Sequence, residues 1–136
     1  MKIKSLILCA VVAMIALLLP GCKGSTPGSA YKSYAEQLQS KNYEGYVEGY
    51  DFSSMAGDTA KVKSTKQALI GLLKMSEAEM EKKGGIKSIE IIEETIQPGD
   101  STAIVKARIT YGDGANNEGQ TEMVRRDGEW KMMLNK

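Results

Sequence analysis

The segment TAIVKARITY, residues Thr102–Tyr111, has the clearest structural pattern in the chain. Apolar and polar residues alternate along it, so in an extended chain the two kinds of side chain point to opposite faces. The apolar set consists of Ala103, Val105, Ala107, Ile109 and Tyr111. The pattern therefore predicts a β-strand with one face in the core and the other in water.

The same two-residue period extends on both sides of this strand. It predicts three more strands, at residues 86–96, 120–126 and 129–134, separated by glycine-containing turns at 98–100, 112–114 and 127–128. These segments form an antiparallel meander. In the first strand Ile89 and Ile91 share a face but Ile92 lies on the other, which indicates either a β-bulge or a strand covered on both sides.

The residues before the sheet have helical spacing instead. Apolar residues recur three and four positions apart in a first helix from residue 30 and in a second around residues 43–50. Residues 51–63 are predicted as a loop, and 64–67 (STKQ) resemble a capping box that starts a third helix. The predicted inner face of that helix is Leu69, Leu72, Leu73, Ser76 and Met80. The order predicts an α+β fold in which N-terminal helices pack on a curved, cone-like four-stranded antiparallel sheet.

Composition excludes several classes of function. The 136 residues allow one domain, and 18 Lys and Arg against 17 Asp and Glu give a formal net charge of +1. Nucleic-acid binding usually needs a strong basic excess, so no nucleic acid is expected as a partner. The chain has no histidine, and it lacks phosphate-binding glycine loops and metal-ligand clusters. We therefore expect no cofactor, no metal site and no catalytic residue.

The N-terminus has the features of a targeting signal. Lys2 and Lys4 precede a stretch of fourteen apolar residues, 6–19 (LILCAVVAMIALLL). As a helix this stretch would span about 21 Å, too short for the ~30 Å hydrocarbon layer, so a signal peptide is favoured over a transmembrane helix.

The residues that follow, Leu19-Pro20-Gly21-Cys22, resemble the bacterial lipobox. The resemblance implies that Cys22 is lipidated and becomes the new N-terminus. The alternative is a coincidental cysteine after an uncleaved anchor.

This interpretation divides the chain into a lipoprotein signal peptide (1–21), a lipidated tether (22–29) and a cone-like α+β domain (30–136). The predicted location is the bacterial cell envelope, with the membrane as a partner through the lipid on Cys22. The residues after Cys22 are Lys23-Gly24, without the aspartate that is associated with retention in the inner membrane. By resemblance, this favours the outer membrane, facing the periplasm.

Two motifs carry a resemblance to a known family. They are the alternation in Ala103-Ile104-Val105 and the terminal hairpin Asp127-Gly128-Glu129-Trp130-Lys131. With the order of elements, they resemble the nuclear transport factor 2-like cone. More closely, they resemble small bacterial lipoproteins of the domain of unknown function 4878 family, which are lumazine-binding-like in shape. Folds of this type host isomerases, dehydratases, binding modules and scaffolds, so the resemblance implies no particular activity.

Five of the six tyrosines lie before residue 51, and two interpretations of them remain open. They are either a helix face packed on the sheet or the lining of a pocket at the mouth of the cone. The pocket candidates are Tyr34, Tyr46, Tyr50 and Trp130. The sequence thus favours a non-catalytic envelope module, and one hypothesis is that it binds a small apolar ligand. A module that binds an envelope protein through the sheet face of Lys106, Arg108 and Arg125 is the other hypothesis of this kind.

An enzyme is the alternative from a different class. An isomerase or dehydratase of the cone type needs a carboxylate inside the cone beside a hydroxyl donor. The available carboxylates are Glu48, Asp51, Glu90 and Glu94, with Tyr46 or Tyr50 as donor. Nothing in their spacing fixes a pair.

Two tripeptides, Asp58-Thr59-Ala60 and Asp100-Ser101-Thr102, resemble the O-glycosylation site of exported proteins in Bacteroidetes. The resemblance implies modification of Thr59 and Ser101. The competing interpretation is turn chemistry, in which aspartate and hydroxyl side chains form local hydrogen bonds.

Overall fold

A computed structural model describes residues 26–134 of the chain. The predicted signal peptide and Cys22 lie outside the described residues. The helices are α1 (Pro27–Gln39), α2 (Tyr43–Val47), a short 3-10 helix (Ser53–Met55) and α3 (Thr59–Lys82). The strands are β1 (Ile86–Ile96), β2 (Thr102–Tyr111), β3 (Asn116–Arg126) and β4 (Glu129–Met132). Between residues 26 and 134, no helix is long and apolar enough to cross a membrane.

The strands form one open antiparallel sheet in the order β1-β2-β3-β4, which confirms the predicted α+β class and the meander. β1 and β2 have their predicted bounds, whereas β3 begins at Asn116 rather than at residue 120. The extra residues are polar or glycine, yet their backbones continue the ladder opposite Ala107–Thr110. Asp127 and Gly128 both have positive φ (52° and 80°), as a tight two-residue hairpin requires.

A β-bulge explains the change of face in β1. Ile91 pairs with Ala107 and Glu93 pairs with Lys106, the next residue back along β2, so Ile92 has no partner of its own. The bulge turns the Ile92 side chain outward, and 38% of its surface is exposed. Of the two interpretations of this strand, the bulge is confirmed.

The core lies between the sheet and α1, which packs against β1, β2 and β4. Its cluster of buried side chains consists of Ala30, Ala103, Val105, Met123, Trp130 and Met132. The apolar face of β2 contributes as predicted, and Trp130 and Met132 of β4 are 2% and 1% exposed. Removing such side chains from water is the main source of stability in a fold of this size.

Helix α1 begins at Pro27, three residues before the predicted start. The Thr26 hydroxyl oxygen accepts a hydrogen bond from the Ser29 N–H (3.1 Å), and Pro27 occupies the first helical position. Proline is favoured there because its missing N–H would have no partner anyway. The last three residues of the predicted tether are therefore helical.

Helix α3 also begins early, and the predicted capping box at residues 64–67 is wrong. The carboxylate of Asp58 accepts from the Lys61 N–H (3.0 Å) and caps the helix, so Ser64 lies inside it and donates to the Lys61 carbonyl. Eight of the thirteen residues in the predicted 51–63 loop are thus helical or 3-10. The helix ends at Lys82, just before Gly84 and Gly85, which both have positive φ.

Helix α3 has no buried residue, and its side chains contact mainly α2 and the 3-10 helix. Its C-terminal end is tied to the β2–β3 turn by backbone hydrogen bonds from Gly112 to Gly85 (2.9 Å) and from Asp113 to Lys83 (2.8 Å). Leu72, predicted on the inner face, is 63% exposed. The packing of helices on the sheet is therefore carried by α1, and α3 stands away from it.

The segment after α2 covers the edge of β4. Met132 donates to the carbonyl of Gly49 (2.7 Å), and its own carbonyl accepts from Asp51 (2.8 Å). Tyr50 thereby forms a parallel bridge with Met132. These backbone bonds fix Tyr50 beside the sheet.

Glu94 of β1 holds the start of α1. Its Oε2 atom accepts from the Gly28 N–H (2.7 Å), one of the helix N–H groups that has no carbonyl partner within the helix. A side chain at position 28 would collide with this carboxylate, which explains the glycine. The carboxylate also lies at the positive end of the helix dipole.

We predict that Glu94→Ala lowers the free energy of unfolding by about 1 kcal/mol, because it removes a charged cap from buried backbone. Urea denaturation of the full chain in detergent measures the change. Glu93→Ala is the matched control, since Glu93 is exposed and neighbours Glu94, and we expect an effect within about 0.5 kcal/mol. Equal losses in the two variants would contradict the capping role.

Candidate functional site

The predicted pocket residues divide into two groups. Tyr34 and Trp130 belong to the packed interior: the Tyr34 hydroxyl donates to the Trp130 carbonyl (2.7 Å), and the Tyr34 ring lies directly against Gly49. A Cβ at Gly49 would lie 2.5 Å from that ring, so only glycine permits this approach. With Tyr31, these side chains fill the centre of the cone.

Tyr46 and Tyr50 form the second group. Their hydroxyl oxygens are 3.1 Å apart, and their rings meet edge to face with centroids 5.6 Å apart. One helical turn separates the two residues, and the bridge between Tyr50 and Met132 holds the pair against the sheet. Edge-to-face contact is a favoured geometry for aromatic pairs.

A cleft opens between this tyrosine pair and α3, where the helix stands away from the sheet. Its volume is about 240 Å³. It is lined by Tyr46, Tyr50, Leu69, Leu72, Leu73 and Ser76. We refer to this space as the tyrosine cleft. Its walls are leucine side chains, and its polar atoms are the hydroxyls of the two tyrosines and Ser76.

A second cavity, of about 420 Å³, lies on the other side of Tyr50. Phe52, Ala56 and Val62 supply its apolar lining, and the charged residues Asp51, Arg126, Asp127, Glu129 and Lys131 surround it. The lining contains three acidic and two basic side chains, so the cavity does not select a ligand of one charge.

Burial raises the pKa of two phenols in this region, Tyr46 and Tyr31. It raises the pKa of Tyr46 far above its ordinary value of 10.0, and the neighbouring Tyr50 raises it further. Burial also raises the pKa of Tyr31, partly offset by a hydrogen bond with Thr121. Neutral phenols are hydrogen-bond donors, so the cleft offers donors rather than a base.

The sequence profile of the family described as domain of unknown function (DUF4878) matches residues 20–133. The chain belongs to the DUF4878 family. None of the curated proteins gave a significant match to the DUF4878 chain. The resemblance drawn from the two motifs is thus confirmed for the family.

Two solved structures resemble the DUF4878 chain. A Campylobacter jejuni protein that carries the label of an NTF2-like transpeptidase superposes with a TM-score of 0.65 at 19% identity, over 76% of this chain and 94% of that one. A SEC-C motif containing protein from Rhodopseudomonas palustris superposes with a TM-score of 0.53 at 15% identity, over 88% and 84% of the two chains. At these identities the likeness shows the fold alone, which is NTF2-like.

The four candidate carboxylates of the DUF4878 chain do not meet the tyrosine pair in a hydrogen bond. Their partners are Lys66 for Glu48 (2.8 Å), Ser53 and Arg126 for Asp51 (2.9 and 3.4 Å), Arg108 for Glu90 (3.2 Å) and Gly28 for Glu94 (2.7 Å). Each of these contacts lies at the surface or at a helix end. The sequence left the pairing of an acid with a donor open. Asp51 and Tyr50 line the same cavity, but within residues 26–134 none of these acids is hydrogen-bonded to Tyr46 or Tyr50.

Two of the three basic residues proposed for the sheet face, Arg108 and Arg125, have partners of their own. Arg108 lies between Glu90 and Glu118 of the neighbouring strands (3.2 and 3.4 Å). The Arg125 guanidinium lies 5.9 Å from the centre of the Trp130 ring, within cation–π range. These cations therefore stabilise the sheet locally and do not form one anion-binding patch.

The residues predicted as glycosylation sites are both exposed. Thr59 is the first residue of α3, directly after the Asp58 cap, so this motif lies at a helix start and not in a loop. Ser101 precedes β2, and its carbonyl accepts from the Arg125 N–H (2.8 Å). Modification at either residue stays a prediction.

Residues 26–134 contain no group of three or more histidine, cysteine, aspartate or glutamate residues that could hold a metal. Sequence reasoning missed Phe52 and Val62 as cavity residues because it placed both in a loop. The spacing of Val62, Leu69 and Leu73 could have revealed that the helical period starts before residue 64.

We predict that stability falls as the pH rises above 10, the ordinary tyrosine pKa. Above this pH the unfolded chain releases the Tyr46 proton while the folded protein retains it. Rising pH therefore favours the unfolded state, which binds fewer protons. Urea denaturation of the full chain at about pH 8 and about pH 11 measures the loss. Tyr46→Phe should lose less stability over this interval. An equal loss in parent and variant, or ionisation of Tyr46 before unfolding, would contradict the assignment.

Proposed function

We propose that this DUF4878 protein is a non-catalytic, lipid-anchored cell-envelope module that binds a small apolar ligand in the tyrosine cleft. The observation that supports it best is the cleft itself, an apolar space next to a helix of 24 residues without one buried side chain. A helix with so little packing normally gains its apolar contacts from something else.

The size of the cleft limits the ligand. Pockets that enclose a whole drug-sized molecule usually measure roughly 300–1,000 Å³, and this cleft measures about 240 Å³. A single ring or a short acyl segment fits this space. A longer ligand would extend past Tyr50 into the adjoining cavity, whose inner lining is also apolar.

The hydroxyl pair supplies a point of specificity. The hydroxyls of Tyr46 and Tyr50 share one hydrogen bond, which uses only one of their two O–H groups as the donor. The second proton is free to bind an acceptor on the ligand. A ligand with one carbonyl or hydroxyl oxygen beside an apolar group therefore matches this cleft.

The proposed anchor lies close to the folded domain. Cys22 precedes the Thr26 cap of α1 by four residues, which when fully extended reach at most about 14 Å. A lipid on Cys22 would hold the domain near the membrane surface, where apolar ligands are concentrated.

Ligand binding can be tested with indole as the probe, by NMR of the full chain in detergent with isotope-labelled leucine methyl groups. We expect saturable shifts of the Leu69 and Leu73 methyl resonances, because both side chains line the cleft. Leu73→Asn should remove saturation at Leu69, since it places an amide in the apolar wall. Ile96→Asn on β1 is the control, because Ile96 is 49% exposed and lies outside the lining. Equal shifts at Leu38 of α1, or unchanged saturation in Leu73→Asn, would contradict the proposal.

The anchor can be tested by metabolic labelling with palmitate in the native host. We expect label on the parent chain and none on Cys22→Ser, which should also leave the membrane fraction. Cys9→Ser should keep the label, since Cys9 lies in the predicted signal peptide. A labelled Cys22→Ser variant, or a native protein that begins at Met1, would refute the anchor.

A further inference from the structure

Helix α3 carries a long uncharged stripe that nothing in residues 26–134 covers. The stripe consists of the exposed residues Ser64, Ala68, Gly71, Met75 and Ala78. They are spaced four, three, four and three positions apart, which is the heptad seam of a two-helix coiled coil. The opposite side of the helix, with Leu69 and Leu73, faces the tyrosine cleft. The stripe is thus separate from the proposed ligand site.

The stripe is suited to close contact with another helix. Met75 is 80% exposed, the largest exposed fraction among the large apolar side chains described. The other members are small, and Gly71 has open space where a side chain would point. Small residues let two helix backbones approach, while methionine adapts its shape to fill the space between them.

Charges on the two flanks identify the partner. Lys61 and Glu79 are eighteen positions apart, five full turns at 3.6 residues per turn, so they lie on one flank. Lys63 and Glu81 have the same separation on the other flank. In an antiparallel pair of identical helices that cross at Gly71, each lysine meets the glutamate of the same flank on the partner helix. Along the sequence, the midpoint between Lys61 and Glu79 and the midpoint between Lys63 and Glu81 each lie within one residue of Gly71.

The same charges are placed unfavourably for an isolated helix. Lys61 and Lys63 lie near its positive N-terminal end, and Glu79 and Glu81 lie near its negative C-terminal end. Neither lysine has a carboxylate within salt-bridge distance in the described part of the chain. The glutamates have only the exposed lysines Lys82 and Lys41 as partners. An antiparallel partner reverses both effects, because its dipole and its charges have the opposite sign at each end.

We infer that α3 pairs with α3 of a second copy of this chain, antiparallel and about a twofold axis at Gly71. A twofold contact uses the same patch on both copies and closes on itself, so it yields a dimer and not a filament. The helix is about 36 Å long, and a single helix pair lies at or below the ~1,200 Å² typical of stable interfaces. The dimer is therefore weak and depends on concentration.

Charge exchange tests this arrangement, by sedimentation equilibrium of the full chain in density-matched detergent. We expect two double variants to raise the dimer dissociation constant about tenfold or more, since four attractions become repulsions in each. One double variant is Lys61→Glu with Lys63→Glu, and the other is Glu79→Lys with Glu81→Lys. The variant with all four changes should return to the parent value. Glu93→Lys on β1 is the control and should leave the constant unchanged. A parent chain that is monomeric at every concentration, or no recovery in the fourfold variant, would overturn the inference.

Two further measurements separate loss of pairing from loss of folding. The Lys61→Glu, Lys63→Glu variant should melt no lower than the parent, because acidic residues suit the N-terminal end of a helix. In membranes, oxidation should convert Gly71→Cys to a disulfide-linked dimer, since the twofold axis brings the two sulfur atoms together. Ser54→Cys, exposed on the 3-10 helix, is the matched control. Equal cross-linking at positions 71 and 54 would overturn the inference.

Discussion

The fold depends on the attachment of the first helix to the last strand. Trp130 is buried under α1, and its carbonyl accepts the Tyr34 hydroxyl across 96 positions of sequence. The adjacent Met132 exchanges backbone hydrogen bonds with the segment after α2. Contacts of such long range form only when the sheet is assembled, so they join the two ends of the domain in one cooperative unit. They also fix Tyr50, and with it one wall of each neighbouring cavity.

Much of the sheet could be predicted because its pattern is local. Alternation placed β1 and β2 at their observed bounds. The single parity change at Ile92 indicated either a bulge or a strand covered on both sides, and the structure has the bulge. The predicted start of α3 was wrong because the sequence offers two residues that could cap the helix, Asp58 and Ser64, only six positions apart. Both can accept from a backbone N–H, and only the apolar spacing upstream distinguishes them. The early start of β3 escaped detection because its first residues are held by backbone pairing alone.

The candidate site was only partly visible in the sequence. Helical spacing placed Tyr46 and Tyr50 near each other, and their rings are in contact although the helix ends at Val47 and Tyr50 lies beyond it. The spacing could not distinguish tyrosines that line a cleft from tyrosines that pack in the core. The position of Tyr34, for example, depends on the absence of a side chain at Gly49, fifteen residues away. Periodicity also shows that a helix has an apolar face without showing what covers it. That is why Leu72 was expected inside and lies outside.

The two edges of the sheet are protected in different ways. The chain itself occupies the β4 edge, through backbone bonds to residues 49 and 51. At β1, the Ile92 bulge interrupts the row of free peptide groups, and Gln39 of α1 donates to the carbonyls of Ile86 and Lys87 (both 3.2 Å). An incoming strand would find no long regular template at either side. The domain can thus be crowded at high local density without edge-to-edge aggregation into fibrils.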